Sequence, residues 1–131
     1  MEYRERFFLK KQDKLKSHKT IELLFSKGNK FSAPLFKIIW LPQNPVAILQ
    51  AGVGVSSRNF KKAVDRNRIK RLMREAWRLQ KNELEKSLQG KNKTLSVFIL
   101  FTGKELPHYS LVFDKFNYII NRLINLTDAK T

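Results

Sequence analysis

The sequence predicts an α+β domain built on one mixed sheet, on three observations. Segments rich in β-branched and aromatic residues (36–40, 46–55 and 95–102) alternate with segments whose apolar residues recur at helical spacing. The passage from 46–55 through a long helix to 95–102 reads as a strand–helix–strand crossover, which sets two strands parallel. A length of 131 residues with 42% hydrophobic content suits one domain with one core.

Residues 1–14 are charged and lack steady periodicity, so they read as a flexible basic arm carrying Arg4, Arg6, Lys10 and Lys11, with the folded domain at 15–131. A first helix follows. Ser17 can cap it, Ile21, Leu24 and Phe25 fall on one side, and Gly28 stands just past its end. Residues 36–40 (FKIIW) form a strand stopped by Pro42; its alternation puts Phe36, Ile38 and Trp40 on one face and Lys37 and Ile39 on the other, more open one. Gln43, Asn44 and Pro45 make a turn into 46–55 (VAILQAGVGV), the expected hairpin partner, whose glycines suggest a bulge or the close approach of another backbone. After a basic connection, 56–62, a long helix runs from 63 to about 83, and 86–93 reads as a polar loop around Gly90. The nearly unbroken apolar run 95–102 suits a central strand covered on both faces. A closing helix over about 109–126 aligns Val112, Phe116, Ile119, Leu123 and Leu126.

Charge narrows the function. There are 27 Lys and Arg against 11 Asp and Glu, a net of +16. Such an excess repels itself in a compact state and is relieved by a polyanion, most commonly nucleic acid. The sequence has no run of eighteen apolar residues and no signal-peptide pattern. With no cysteine there is no disulfide framework, zinc ribbon or thiol nucleophile, and a cytoplasmic setting fits best. No membrane partner and no small-molecule substrate are expected.

The excess is also localised. Residues 58–78 (RNFKKAVDRNRIKRLMREAWR) hold nine Lys or Arg and two acids, whereas 104–131 hold four bases and three acids. Wound at about 100° per residue, Ile69, Leu72, Met73, Ala76 and Leu79 gather on one side, with Trp77 at its edge. Arg66, Asn67, Lys70, Arg71, Arg74 and Arg78 gather opposite, with Arg68 at the boundary. Five cations and an amide then span about three turns, roughly 18 Å, enough to meet successive phosphates. Arginine dominates the row, and its planar fork engages phosphate in bidentate fashion. Few acids stand at i+3 or i+4 to neutralise it; Glu75 is placed to pair with Arg71. Arg58, Lys61 and Lys62 extend the basic surface into the connection.

Independent catalysis is not indicated. His18 and His108 are far apart and lack neighbouring partners, so no acid–base pair is legible. Asp65 and Glu75 lie among arginines rather than in a metal-binding cluster, and Gly52 and Gly54 lack the ending of a phosphate loop. The protein itself is expected to bind no metal or other cofactor.

Around Arg66-Asn67-Arg68 the pattern becomes specific. The stretch GVGVSSRNFKKAVDRNRIKRLMREAWR resembles the signature segment of the bacterial ribonuclease P protein family, and LKSHKTIELLFSKG resembles that family's first helix; the likeness spans about 15–126. The resemblance implies an α/β sandwich with a mixed four-stranded sheet and a left-handed crossover around the basic helix, similar to a ribosomal-protein domain. Pattern alone would give a right-handed crossover. It also implies a division of labour. The ribonuclease P RNA performs Mg2+-dependent endonucleolytic removal of the 5′ leader from precursor tRNA. By that resemblance the protein would bind that RNA through Arg66, Asn67, Arg68, Lys70, Arg71 and Arg74 and would hold the leader in a cleft between the first helix and the sheet. Phe25 matches an aromatic cleft position; Ile21 and Ile39 stand where many members carry an aromatic, and Lys37 lies on the same open face. Two other readings remain: a ribosomal-protein-like module that only clamps structured RNA, and, more weakly, a DNA-reading helix, which would carry more base-directed side chains.

Overall fold

In the computed structural model, Lys14, Leu15 and residues 18–128 are described. Residues 1–13 of the proposed arm (1–14) and the capping role of Ser17 lie outside them. The elements run α1 (His18–Lys27), β1 (Asn29–Ala33), β2 (Phe36–Leu41), β3 (Leu49–Val55), α2 (Ala63–Lys91), β4 (Leu95–Phe101) and α3 (Tyr109–Asp128). The strands form one mixed sheet of order β1-β2-β4-β3: β1 and β4 each pair antiparallel with β2, and β3 runs parallel to β4. The α+β class with a mixed four-stranded sheet therefore holds. No helix among the described residues is long and apolar enough to cross a membrane.

Two layers of unequal size cover the sheet. On one face, α2 and α3 bury the main core with Ile38 and Trp40 of β2 and Val97, Ile99 and Phe101 of β4. Fully burying each such side chain stabilises by about 1.5–3 kcal/mol. Among the described residues, the other face carries the ten-residue α1, whose Leu24 packs with Ile39 and Leu15 in a small cluster. α1 ends at Gly28, where an added Cβ would stand 2.4 Å from the Leu24 carbonyl oxygen and 2.9 Å from Ile39 Cγ2. Glycine lets the helix end sit directly on β2.

Four expectations change. First, β3 is not the hairpin partner of β2, because β4 lies between them. The linking turn is pinned across the start of β4. Asn44 Oδ1 accepts the Val46 and Ala47 amides, and its Nδ2 donates to Gln50 Oε1 and Ser96 Oγ. Ser96 Oγ donates to the Gln43 carbonyl, and β3 starts at Leu49 rather than at 46. Second, the sheet's outer strand β1 (NKFSA) was not legible: as a largely exposed edge it shows little apolar pattern, and its turn into β2 places Leu35 at φ 72, where glycine or asparagine would be the usual signal. Third, residues 86–91 are helix, not loop. Leu84 and Leu88 continue the buried stripe, which outweighs the cost of about 1 kcal/mol for Gly90. The helix closes with Asn92 in the left-handed region, its amide donating to Gln89 O and that of Lys93 to Leu88 O. Fourth, Gly52 and Gly54 mark no bulge, while a second backbone does approach beside Gly52, where the Leu15 amide donates to Ala51 O. β3 pairs with β4 in unbroken register, and the ring of Phe98 lies across the two glycines.

Candidate RNA interface

The cations of α2 divide by where the helix carries them. The buried arc is centred on Ile69, Met73, Ala76 and Trp77, while Leu79, expected inside, is 39% exposed and Leu72 is half-buried. The helix has turned so that Trp77 packs edge-on against Phe116 of α3. Asn67, Arg68, Arg71 and Arg74 are exposed, and Lys70 is half-buried.

Two members of the expected phosphate row are engaged within the protein. Arg78 forks onto Glu75, with Nε 3.1 Å from Oε1 and Nη2 2.6 Å from Oε2. The bond to Glu75 raises the Arg78 pKa above its already high ordinary value. Glu75 is thus held by Arg78 rather than by Arg71. Beside this pair the Tyr109 hydroxyl is buried without a hydrogen-bond partner, and burial pushes its pKa up. Arg66 sits in the first turn on the Met73–Trp77 side of the helix, about 60° from Ile69 at 100° per residue, not opposite it. Its Nη1 donates to the carbonyls of Phe60 (2.7 Å) and Lys61 (2.9 Å).

That bond shapes the connection preceding α2. The amides of Asn59 and Phe60 both donate to Ser56 O, and Asn59 Nδ2 donates to the carbonyls of Thr102 and Gly103 at the end of β4. Phe60 is buried against Phe101 at a centroid distance of 6.0 Å. Arg58, Lys61 and Lys62 are left exposed on a tethered segment, beside the uncapped N-terminus of α2.

The second part of the site is the thinly covered face of the sheet. Apart from Ser96, residues 95–101 are apolar on both faces, yet among the described residues α1 covers only part of one, where Phe98 and Leu100 are half-buried. Phe25 is 45% exposed and packs on Phe98, ring centroids 5.3 Å apart. Lys37 is exposed on the same face, in register with Leu100. Ile39, expected in the cleft, is 2% exposed and sealed under Leu15 and Leu24. It supports the floor from below. Ile21 does line a groove of about 260 Å³ that wraps the outer edge of β3, with Leu15, Phe98 and Trp77 as its apolar walls and Lys14 and Arg74 among its lining residues. Lys14, placed in the arm from sequence, bridges Ala51 at that edge, where the Leu15 amide donates to Ala51 O.

Sequence pattern was not enough to single out Phe98. The alternation in β4 carried the signal, since Phe98 and Leu100 point away from the Val97, Ile99 and Phe101 face and stand opposite two glycines. An added Cβ at Gly54 would lie 2.8 Å from Phe98 Cζ, so glycine is what lets the ring lie flat.

Comparison with known proteins agrees in sequence and in fold. A 108-residue stretch is 32% identical to the ribonuclease P protein component of Porphyromonas gingivalis W83, covering 81% of this chain and 79% of that one. The Chlorobium phaeobacteroides ribonuclease P protein component is 28% identical over 135 residues, with 91% of each chain covered. Among solved structures, the RNase P protein of Thermotoga maritima superposes with a TM-score of 0.67 at 21% identity over 83% of this chain and 96% of that one. The Staphylococcus aureus RNase P protein also gives 0.67, at 15% identity over 83% and 93%. The ribonuclease P family model matches residues 9–123, which takes in α2, its tethered connection and the cleft, and the chain belongs to that family.

Proposed function

We propose that this chain is the protein subunit of a ribonuclease P ribonucleoprotein, with two RNA surfaces that meet at Arg74. Arg58, Lys61, Lys62 and the exposed residues of α2 contact the phosphates of the ribonuclease P RNA. The Phe25–Phe98 cleft takes the single-stranded 5′ leader of precursor tRNA. The observation that carries this reading is the continuity between them: Arg74 belongs to the basic row and also lines the groove that leads to Phe98. Cations along a backbone track beside aromatic rings suit single-stranded RNA, since bases stack on the rings while phosphates stay with the charges.

In this reading hydrolysis belongs to the RNA and its Mg2+ ions, in the cytoplasm, and the protein contributes binding and orientation. No group of three or more His, Asp, Glu or Cys among the described residues could hold a metal ion. The two histidines are on different parts of the fold: His18 begins α1 on one face of the sheet, and His108 precedes α3 on the other. Reconstitution with a bacterial ribonuclease P RNA at low Mg2+, measuring 5′ maturation of a precursor tRNA, tests this. Stimulation of cleavage is expected. Tight RNA binding without stimulation would instead leave only a clamp for structured RNA.

A further inference from the structure

The first arginine of the Arg66-Asn67-Arg68 core turns back toward the connection before α2, and its partners are two consecutive backbone carbonyls five and six residues earlier. We propose that Arg66 is a positioning residue: it latches the 58–62 connection onto the first turn of α2, so that Arg58, Lys61 and Lys62 act with the helix as one phosphate-binding surface. This rests on the RNA-binding reading above and refines it, because it removes Arg66 from the phosphate row and makes three other cations depend on it.

Chemistry favours arginine in this place. One guanidinium nitrogen carries two N–H bonds that diverge in a fixed plane, and here both are used, one on Phe60 O and one on Lys61 O. A lysine ammonium has no such fixed fork. The latch also neutralises a local conflict. Two carbonyl oxygens in the middle of an anion-binding segment would repel phosphate; bonded to a guanidinium, they no longer present bare negative ends. The segment's other ties hold different points: Asn59 to the end of β4, Phe60 in the core against Phe101. Arg66 alone among these joins the connection to α2. Lys62, at the N-cap position, makes no side-chain cap bond, so the start of α2 has no side-chain clasp from that residue.

Ordering the connection in advance matters because an exposed loop of basic residues otherwise loses its conformational freedom on binding. Fixing each backbone residue in one conformation costs entropy. A preordered segment has already met that cost in the folded protein, and its cations stand at set distances from Arg68 and Arg71.

The test is a double-substitution cycle on RNA affinity against salt, with a bacterial ribonuclease P RNA as probe. In the parent protein, Lys61→Ala should flatten the log–log slope by about 0.7–0.9, one phosphate contact. In the Arg66→Ala background the same change should have almost no further effect, and Arg66→Ala alone should remove about three contacts' worth of slope, those of Arg58, Lys61 and Lys62. Amide exchange at 59–62 should accelerate in Arg66→Ala. Arg66→Lys separates the alternatives again, and serves for the cycle if the alanine variant does not fold. It keeps the charge, so a direct phosphate contact would survive, whereas a latch would fail and the slope would fall much as with alanine. Equal effects of Lys61→Ala in both backgrounds, or a normal slope in Arg66→Lys, would overturn the latch. A parent protein with no steep salt dependence would sink the RNA-binding reading itself, a distinguishable failure.

Discussion

Gly54 and Phe98 illustrate how single residues set the site. Phe98 can lie flat on the sheet because the facing positions of β3 lack side chains. Gly54→Ala would put a methyl 2.8 Å from the ring edge and 3.1 Å from Phe98 Cε2, forcing the ring out of the floor it makes with Phe25. We expect a stability loss of about 1 kcal/mol from overpacking. Holoenzyme affinity should fall about 5-fold or more for precursor tRNA, following the value of base–aromatic stacking, with little change for leaderless tRNA. An equal loss for both substrates would mean that Phe98 does not touch the leader. The charges of Arg78 and Glu75 belong to this scale too. They offset one another, and as a partly exposed pair they contribute about 0–1 kcal/mol to stability. Their simultaneous replacement by glutamine should leave the salt dependence of RNA binding unchanged, whereas Arg71→Gln should lower its slope by about 0.7–0.9.

At the scale of elements, α2 is two helices in function. Its first half presents cations, and its second half anchors the helix through Leu84 and Leu88. Gly90 serves neither role, since an added Cβ there meets no atom within 4 Å. Gly90→Ala should therefore stabilise the protein by about 0.5–1 kcal/mol, by reducing the backbone freedom of the unfolded chain. Thermal unfolding would read this as a raised midpoint, with RNA affinity unaltered. A lowered midpoint would show that the last turn is strained as built. The extension past residue 83 was hidden because Gly90 and the polar residues around it imitate a loop, while the two leucines that decide the matter need a partner surface to count. That surface, α3 and the sheet, is invisible to a local reading.

Across the whole molecule, charge and coverage act together. One face of the sheet is closed by two long helices, whereas among the described residues the other is only partly covered, by α1 and Leu15, and the cleft is what they leave open. The basic row borders that opening at the edge of β3. If Arg58, Lys61, Lys62, Arg68, Lys70, Arg71 and Arg74 all meet phosphate, the log–log salt slope of binding should be about −5 to −6. A slope shallower than about −2 would confine the interface to a fraction of these cations.

Composition and local periodicity were enough to predict the α+β class, where the long helices begin and the concentration of cations at 58–78, and the resemblance around Arg66-Asn67-Arg68 pointed to the family. These properties run along the chain and need no distant contact to be read. Packing in three dimensions settled the rest: that β4 separates β2 from β3, that Ile39 is sealed while Phe98 is open, that Arg78 belongs to Glu75, and that Arg66 turns back to the Phe60 and Lys61 carbonyls. Each depends on which surface packs where, and hydrophobicity along a strand or charge along a helix is the same whether a neighbour covers it or not. The basic helix was legible as a place of charge; which of its arginines are free to meet RNA follows from what its neighbours cover.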